Sequence, residues 1–255
     1  MERISSRKNP LCLKLKKLAA DGGYRRETGL FLCDSPKLVE EALRWAGDTV
    51  DTVVTTPGRA IANLPPSVRA VEVTEDVMES VAPSKTPQGV LAICRMREST
   101  LPEALDGRCY VVLDGVQDPG NVGTILRTAD AFWVDGLFLV NGCADLYHPK
   151  TLRAGMGAAF RCPVWTCGGA EVAALLKKSD IPLYGAALQS DTRDIRELDY
   201  ARAAAAIGSE GRGLSQELLA LCTATVKIPM NERCESLNAA AAAAALLWEM
   251  ARGRR

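Results

Sequence analysis

Short apolar runs alternate with amphipathic stretches along this chain, and that alternation fixes the kind of sheet it can build. Leu30 to Cys33, Thr49 to Val54, Val68 to Val73 and Val90 to Ile93 have the length and residue types of strands. Between them, Pro36 to Trp45, Ile61 to Leu64 and Glu75 to Val81 have helical or turn character. A charged stretch with one proline, Arg95 to Arg108, then interrupts the pattern. Beyond it come strands at Tyr110 to Leu113, Gly136 to Val140, Pro182 to Ala187, Ala203 to Ile207 and Thr223 to Ile228, with a helix at Asn121 to Phe132 and an alanine-rich terminal helix. The order predicts an α/β protein with a mainly parallel sheet covered on both faces. With 255 residues there is room for two cores, so we expect domains at 1–97 and 109–255, joined by a linker at 98–108.

Several function classes are disfavoured by composition. Met1 to Lys8 lacks the apolar core of a secretory signal, and no run reaches the ~18 to 20 apolar residues of a membrane span. The nine cysteines include no CxxC pair, and His148 is the single histidine, so a Cys/His metal cluster has no support and no metal is expected. Reduced thiols in a cytoplasmic protein are the expectation. A catalytic triad would have to use His148, and no nucleophile elbow lies near it.

Net charge is zero over the whole chain, but residues 1–30 carry eight basic residues against three acidic ones, a net +5. Leu11, Leu15 and Leu18 stand at i, i+4 and i+7, which predicts a helix packing its leucines and presenting lysines. Phosphate backbones attract such surfaces through counterion release, and Arg7, Lys8, Lys14, Lys17, Arg25 and Arg26 are the candidate nucleic-acid contacts, with a solvated helix face as the other reading of the same charges.

Three polar blocks directly follow predicted strands of the second half. The first, Asp118-Pro119-Gly120-Asn121-Val122-Gly123 running on to Arg127, reads locally as a turn with Asn121 capping the helix. The second is Gly208-Ser209-Glu210-Gly211-Arg212-Gly213-Leu214, whose glycines let backbone approach a ligand. It lacks both the phosphate-loop Gly-Lys-Ser/Thr and the dinucleotide GxGxxG spacing. The third runs from Ile228-Pro229-Met230 to Ser236-Leu237-Asn238, where Ser236 and Asn238 are candidate caps of the terminal helix. Loops at the carboxyl ends of strands in one sheet can converge on one site.

Asn121-x-Gly123-x-x-x-Arg127, Gly208-Ser209-Glu210-Gly211-x-Gly213-Leu214 and Ile228-Pro229-Met230 with Ser236-Leu237-Asn238 together resemble, in order, the three motifs of the SpoU/TrmH branch of the SPOUT RNA methyltransferases. His148 to Ala158 is also similar to the family, which more often has Ser at positions 148 and 155. Ser6-Arg7-Lys8-Asn9-Pro10, Gly29 to Leu32 and Thr86-Pro87-Gln88-Gly89 resemble the substrate-binding domain fused to many members, a domain similar to small ribosomal RNA-binding proteins. The chain departs from the family at Ala239-Ala240, where a Val-Ser pair is usual.

The resemblance implies an α/β catalytic domain with a deep trefoil knot, a homodimer, and methyl transfer from S-adenosylmethionine to a ribose 2′-OH. Ribosomal and transfer RNA are both targets of similar proteins, and the two-domain form with a basic N-terminal helix favours ribosomal RNA. It assigns cofactor contacts to Gly208, Ser209, Gly211, Ile228, Met230 and Leu237, and catalytic-site roles to Asn121, Arg127, Glu210, Ser236 and Asn238. A guanidinium, with a pKa above ~12, suits phosphate or a developing alkoxide better than it suits accepting a proton. The rival expectation is a non-catalytic RNA-binding or ribosome-assembly protein that retains the fold.

Overall fold

The computed structural model describes residues 2–62, 64–231, 233, 234 and 236–252. They form two compact units: residues 1–98 with 145–160, and 99–144 with the chain from 161 onward. Residues 145–160 thus fold with the N-terminal unit although they lie within the second half of the sequence.

The first unit contains β1 (Glu2–Ile4), α1 (Pro10–Ala20), α2 (Gly22–Thr28), β2 (Leu30–Cys33), α3 (Pro36–Ala46), β3 (Val50–Thr55), β4 (Arg69–Val73), α4 (Glu75–Val81) and β5 (Val90–Arg95). Its sheet has the order β1-β4-β3-β5-β2, with β5 antiparallel to both neighbours. Leu11, Leu15 and Leu18 are all buried, as their spacing predicts, and they pack with Val77 and Met78 of α4 on one face of the sheet. The other face carries Phe31, Leu38, Val39 and Val53, and Leu152 and Phe160 from the 145–160 segment complete that core. Ile61, Ala62 and Leu64 form turn and loop rather than a helix.

The second unit contains β6 (Cys109–Asp114), α5 (Pro119–Ala131) and β7 (Gly136–Val140). The chain then visits the first unit, where α6 (Pro149–Gly155) lies, and returns for β8 (Val164–Thr166), α7 (Gly169–Lys178), β9 (Leu183–Ala186), β10 (Arg193–Asp194), β11 (Ala203–Gly208), α8 (Gln216–Ala220), β12 (Ala224–Lys227) and α9 (Ala239–Ala251). The order is β10-β12-β9-β11-β6-β7-β8, and every pairing is parallel. Strands buried on both faces need no polar alternation, so β6 and β7 read as continuous apolar runs and are buried at every position. β11 holds the centre with four successive alanines, all fully buried.

α5 begins one turn earlier than the local reading of the sequence placed it. Asp118, not Asn121, is the cap: its carboxylate accepts from the Asn121 backbone N–H at 3.0 Å, and Pro119 occupies the first turn, where its missing donor is harmless. That correction matters because it leaves the Asn121 side chain free of capping work.

Candidate active site

Register puts the site together. Asp114 at the end of β6 lies level with Gly208 of β11 and with Val140 of β7, so the loops that leave these strands start from one edge of the sheet. The Asn121 side chain, in the first turn of α5, donates from Nδ2 to the Glu210 carboxylate in the loop after β11. Asn238 donates from Nδ2 to Asn121 Oδ1 at 3.2 Å. Asn238 also caps α9, its Oδ1 accepting from the N–H groups of Ala240 at 3.0 Å and Ala241 at 3.3 Å. Residues 117 positions apart in the chain therefore share one hydrogen-bonded chain, Glu210–Asn121–Asn238.

Beside this chain a cleft of about 280 Å³ opens at the carboxyl ends of β9, β11 and β12. Gly208, Ser209, Ile228, Met230 and Leu237 line it, together with Glu210 and Ser236. Gly211 does not line it and is exposed at the tip of the loop. Gly213 lines the cleft instead and has the positive φ of +65° that glycine adopts freely. Gly208 is the glycine the packing demands, since a Cβ there would sit 2.0 Å from the Gly213 backbone carbon. Ser209 and Gly213 close the loop with two backbone hydrogen bonds of 3.1 and 2.8 Å.

The walls suit a flat, partly apolar cofactor. Leu188, Ile207, Ile228 and Leu237 supply apolar surface, and the strand ends and the glycine loop supply backbone groups. Such a mixture is typical of nucleoside-binding clefts, where apolar walls sandwich a base and a few polar groups fix its orientation. The residues present therefore fit S-adenosylmethionine. Ala186, Ala187 and Leu188, at the end of β9, are lining residues that the sequence motifs missed. The signal was available, because β9 is a third strand ending on the same sheet edge.

Arg127 is not part of the hydrogen-bonded chain. It is exposed on α5, six residues beyond Asn121 and thus about 120° around the helix, and among the described residues no hydrogen bond or ion pair engages it. Ser236 is exposed at the cleft. Among the described residues no group of three or more His, Cys, Asp or Glu side chains could hold a metal ion.

In the first unit, Lys8, Lys17 and Arg26 are exposed and Lys14 is half-buried. Lys17 sits 5.2 Å from the centroid of the Tyr24 ring. Arg7 pairs with Asp76. Arg25 must be withdrawn from the RNA-facing set. Its side chain is 2% exposed, its Nε and Nη2 donate to Asp145 Oδ2 at 2.9 and 2.6 Å, and its Nη1 donates to the Leu18 carbonyl at 2.8 Å. His148 has a structural role: its Nδ1 caps α6 by accepting from the Lys150 N–H at 3.1 Å. Burial pushes its pKa down from the usual value, keeping the ring in the neutral form that can accept.

A parallel α/β sheet with a cleft at its carboxyl edge, rimmed by loops from three strands, has the architecture of the nucleotide- and nucleoside-binding α/β proteins. The SpoU rRNA methylase family matches residues 108–248, and the substrate-binding domain of the MRM3-like proteins matches residues 9–92. The chain belongs to the SpoU methylase family. It is 35% identical over 98% of its length, and 99% of the relative's, to the Bacillus subtilis 23S rRNA (guanosine(2553)-2′-O)-methyltransferase RlmP. It is similar in structure to an S-adenosylmethionine-bound rRNA methyltransferase from Sinorhizobium meliloti, with TM-score 0.90, 30% identity and coverage of 99% and 98% of the two chains. It is also similar to the SpoU methyltransferase AviRb of Streptomyces viridochromogenes in complex with the same cofactor, with TM-score 0.87, 27% identity and coverage of 97% and 98%.

Proposed function

We infer that this protein transfers a methyl group from S-adenosylmethionine to a ribose 2′-OH of ribosomal RNA. The observation that carries the reading is the convergence of Asn121, Glu210 and Asn238, one from each motif, on the rim of the cleft lined by Gly208, Ile228 and Leu237. When bound, the cofactor supplies an electrophilic methyl on a sulfonium. The residues around it must hold the hydroxyl oxygen in line with that methyl at about 3 to 3.5 Å and help its proton leave. Asn121 and Asn238 fix the rim, and Glu210 is anchored by Asn121. Arg127, whose guanidinium presents a planar fork of donors, is the partner for the target phosphate or the alkoxide that develops on the ribose.

Lys8, Lys14, Lys17 and Arg26 of the first unit form the RNA-binding face, and Arg7 joins them when RNA phosphate displaces Asp76. Ribosomal RNA is favoured because relatives named for 23S rRNA match across almost the whole chain, and the cytoplasm follows as the site of action. The chain after β9 is read as a trefoil knot, supported by β9 lying between β11 and β12 and by the return of Asn238 to Asn121. The protein acts as a homodimer through α5 and α9. Trp133 and Trp248 are 63% and 53% exposed there, and Phe132 and Trp248 meet edge-on at 5.8 Å. Exposed aromatic surface from two neighbouring elements is what supports this reading.

Calorimetric titration with S-adenosylmethionine, combined with mapping of ribose methylation in ribosomal RNA from cells with and without the gene, tests the reading. Binding together with one methylation lost in the deletion strain is expected. Absence of cofactor binding would replace this reading with that of a non-catalytic RNA-binding protein.

A further inference from the structure

A buried carboxylate behind the cleft has no place in the three motifs. Asp114 ends β6, is 3% exposed, and has no cation paired with it among the described residues. Its two oxygens are instead divided between the loops on either side. Oδ1 accepts from Asn141 Nδ2 at 2.8 Å, in the loop after β7, and Oδ2 accepts from the Ser215 backbone N–H at 2.7 Å, at the end of the glycine loop after β11. Asn141 closes the ring by donating from Nδ2 to Ser215 Oγ at 3.3 Å, and that hydroxyl caps α8 by accepting from the Leu218 N–H at 3.2 Å. Asn141 makes these contacts from a left-handed backbone, φ 53°, which Asn and Asp tolerate better than other side chains.

The glycine loop consequently has two fixed ends. At one, Gly208 packs against the Gly213 backbone. At the other, Ser215 is held by Asp114. Only the tip, with Glu210, remains to be placed by Asn121. Asp114 also immediately precedes Gly115, whose φ of +65° turns the chain toward the Asp118 cap of α5. One buried group thereby sets the distance between the helix that carries Asn121 and the loop that carries Glu210.

We propose that Asp114 is the positioning residue of the cofactor loop: it touches neither cofactor nor RNA, and it holds residues 209–215 in the shape that binds S-adenosylmethionine. The proposal rests on the methyltransferase reading for its ligand, and on hydrogen bonding alone for the clamp. Buried carboxylates that accept well-aligned bonds are strong anchors, and removing them leaves donors unsatisfied.

The test is an exchange of polarity in the full-length protein. Asn141→Asp alone sets two carboxylates against each other. The double variant Asp114→Asn/Asn141→Asp restores one amide donor facing one carboxylate, and the amide oxygen at position 114 again accepts from Ser215. Amide hydrogen exchange by mass spectrometry is expected to rise about tenfold or more over residues 209–215 in Asn141→Asp, with β6 and β11 unchanged, and to return in the double variant. The Kd for S-adenosylmethionine is expected to follow the same pattern, rising at least tenfold and recovering to within about threefold of the parent, while the Kd for RNA stays within twofold. In steady-state assays KM for the cofactor rises more than kcat falls. Asp114→Ala removes both acceptors and should match or exceed the single variant; if it does not fold, the exchange pair still decides. Unchanged exchange in Asn141→Asp, or a double variant no better than the single, overturns the proposal. A parent protein that fails to bind S-adenosylmethionine overturns the methyltransferase reading instead, and the exchange data still judge the clamp.

Discussion

Removing the Asp145 carboxylate should expose how much the first unit depends on its borrowed segment. Asp145→Ala leaves the Arg25 guanidinium, 2% exposed, with the Leu18 carbonyl as its remaining acceptor, because both of its other hydrogen bonds go to Asp145 Oδ2. Breaking one side of a buried ion pair typically costs about 3 to 5 kcal/mol, since the surviving charge has lost both partner and water. Asp145 itself is 25% exposed, so water can enter when its side chain is cut back, and the low end, about 3 kcal/mol, is the expectation. At about 1.36 kcal/mol per factor of ten, that is a loss of roughly 10²-fold in protection. Hydrogen exchange by mass spectrometry reads α1, α2 and residues 145–160 separately from the second unit, so it suits a two-unit chain better than one global transition. The double variant Arg25→Met/Asp145→Ala should be more protected than Asp145→Ala, because the methionine carries no charge to strand. A single variant that loses less than about fivefold, or a double variant that is no better, would refute the argument that the desolvated cation dominates.

Other consequences are narrower. Gly208→Ala places a Cβ against the Gly213 backbone, which cannot give way as a side chain would, so S-adenosylmethionine affinity by calorimetry should fall at least tenfold with the fold retained by circular dichroism. Arg127→Lys keeps the charge and loses the planar fork; kcat at saturating RNA should drop tenfold or more, and near-normal turnover would end the phosphate or alkoxide role. His148→Ala should cost about 1 kcal/mol as a lost cap, while His148→Ser should cost little, measured by urea unfolding. The pH dependence has a definite sign: the His148 pKa is lower in the folded protein than its usual 6.5, so the unfolded chain takes up the proton first. The stabilisation it gives is full above about pH 6.5 and is lost as pH falls below that toward the depressed folded value, and His148→Ser should remove that slope.

The sequence makes the inner strands β3, β5, β6, β7 and β11 legible because each is a buried run of branched or apolar residues. β7 was read with the bounds it has, and α4 likewise. It was less informative where structure depends on partners. β1, β8 and β10 carry no strand signal, since each is a two- or three-residue edge strand, and α2, α6, α7 and α8 are short helices that declare their faces only against their neighbours. Of the site, Asn121, Glu210 and Asn238 were legible through their motifs, and the structure joins them by hydrogen bonds. Which side chain capped α5 was misjudged, because Asp118 and Asn121 are equally good caps in isolation and only the helix start distinguishes them. Arg25 was misjudged for a similar reason: charge counts do not reveal a carboxylate 120 residues away in the chain.

The alanines of β11 have a consequence for how this cleft can vary. The four methyl side chains, all fully buried, alternate between the two faces of the second sheet. Ala204 and Ala206 pack with Val172, Leu176 and Leu218 of α7 and α8, while the opposite face meets α9, whose first two turns bury Ala239, Ala240 and Ala243. Between two such surfaces the spacing is set nearly by main chain alone, and there is little compressible volume to absorb an extra methyl group. Gly208 hangs from one of these elements and Asn238 from the other, so any enlargement in the layer beneath is transmitted outward as a displacement of the two loops. Variation within this scaffold is therefore channelled to the rim, while Ile207 and Gly208, where β11 ends in the cleft, behave as a fixed gauge against which the rim is set.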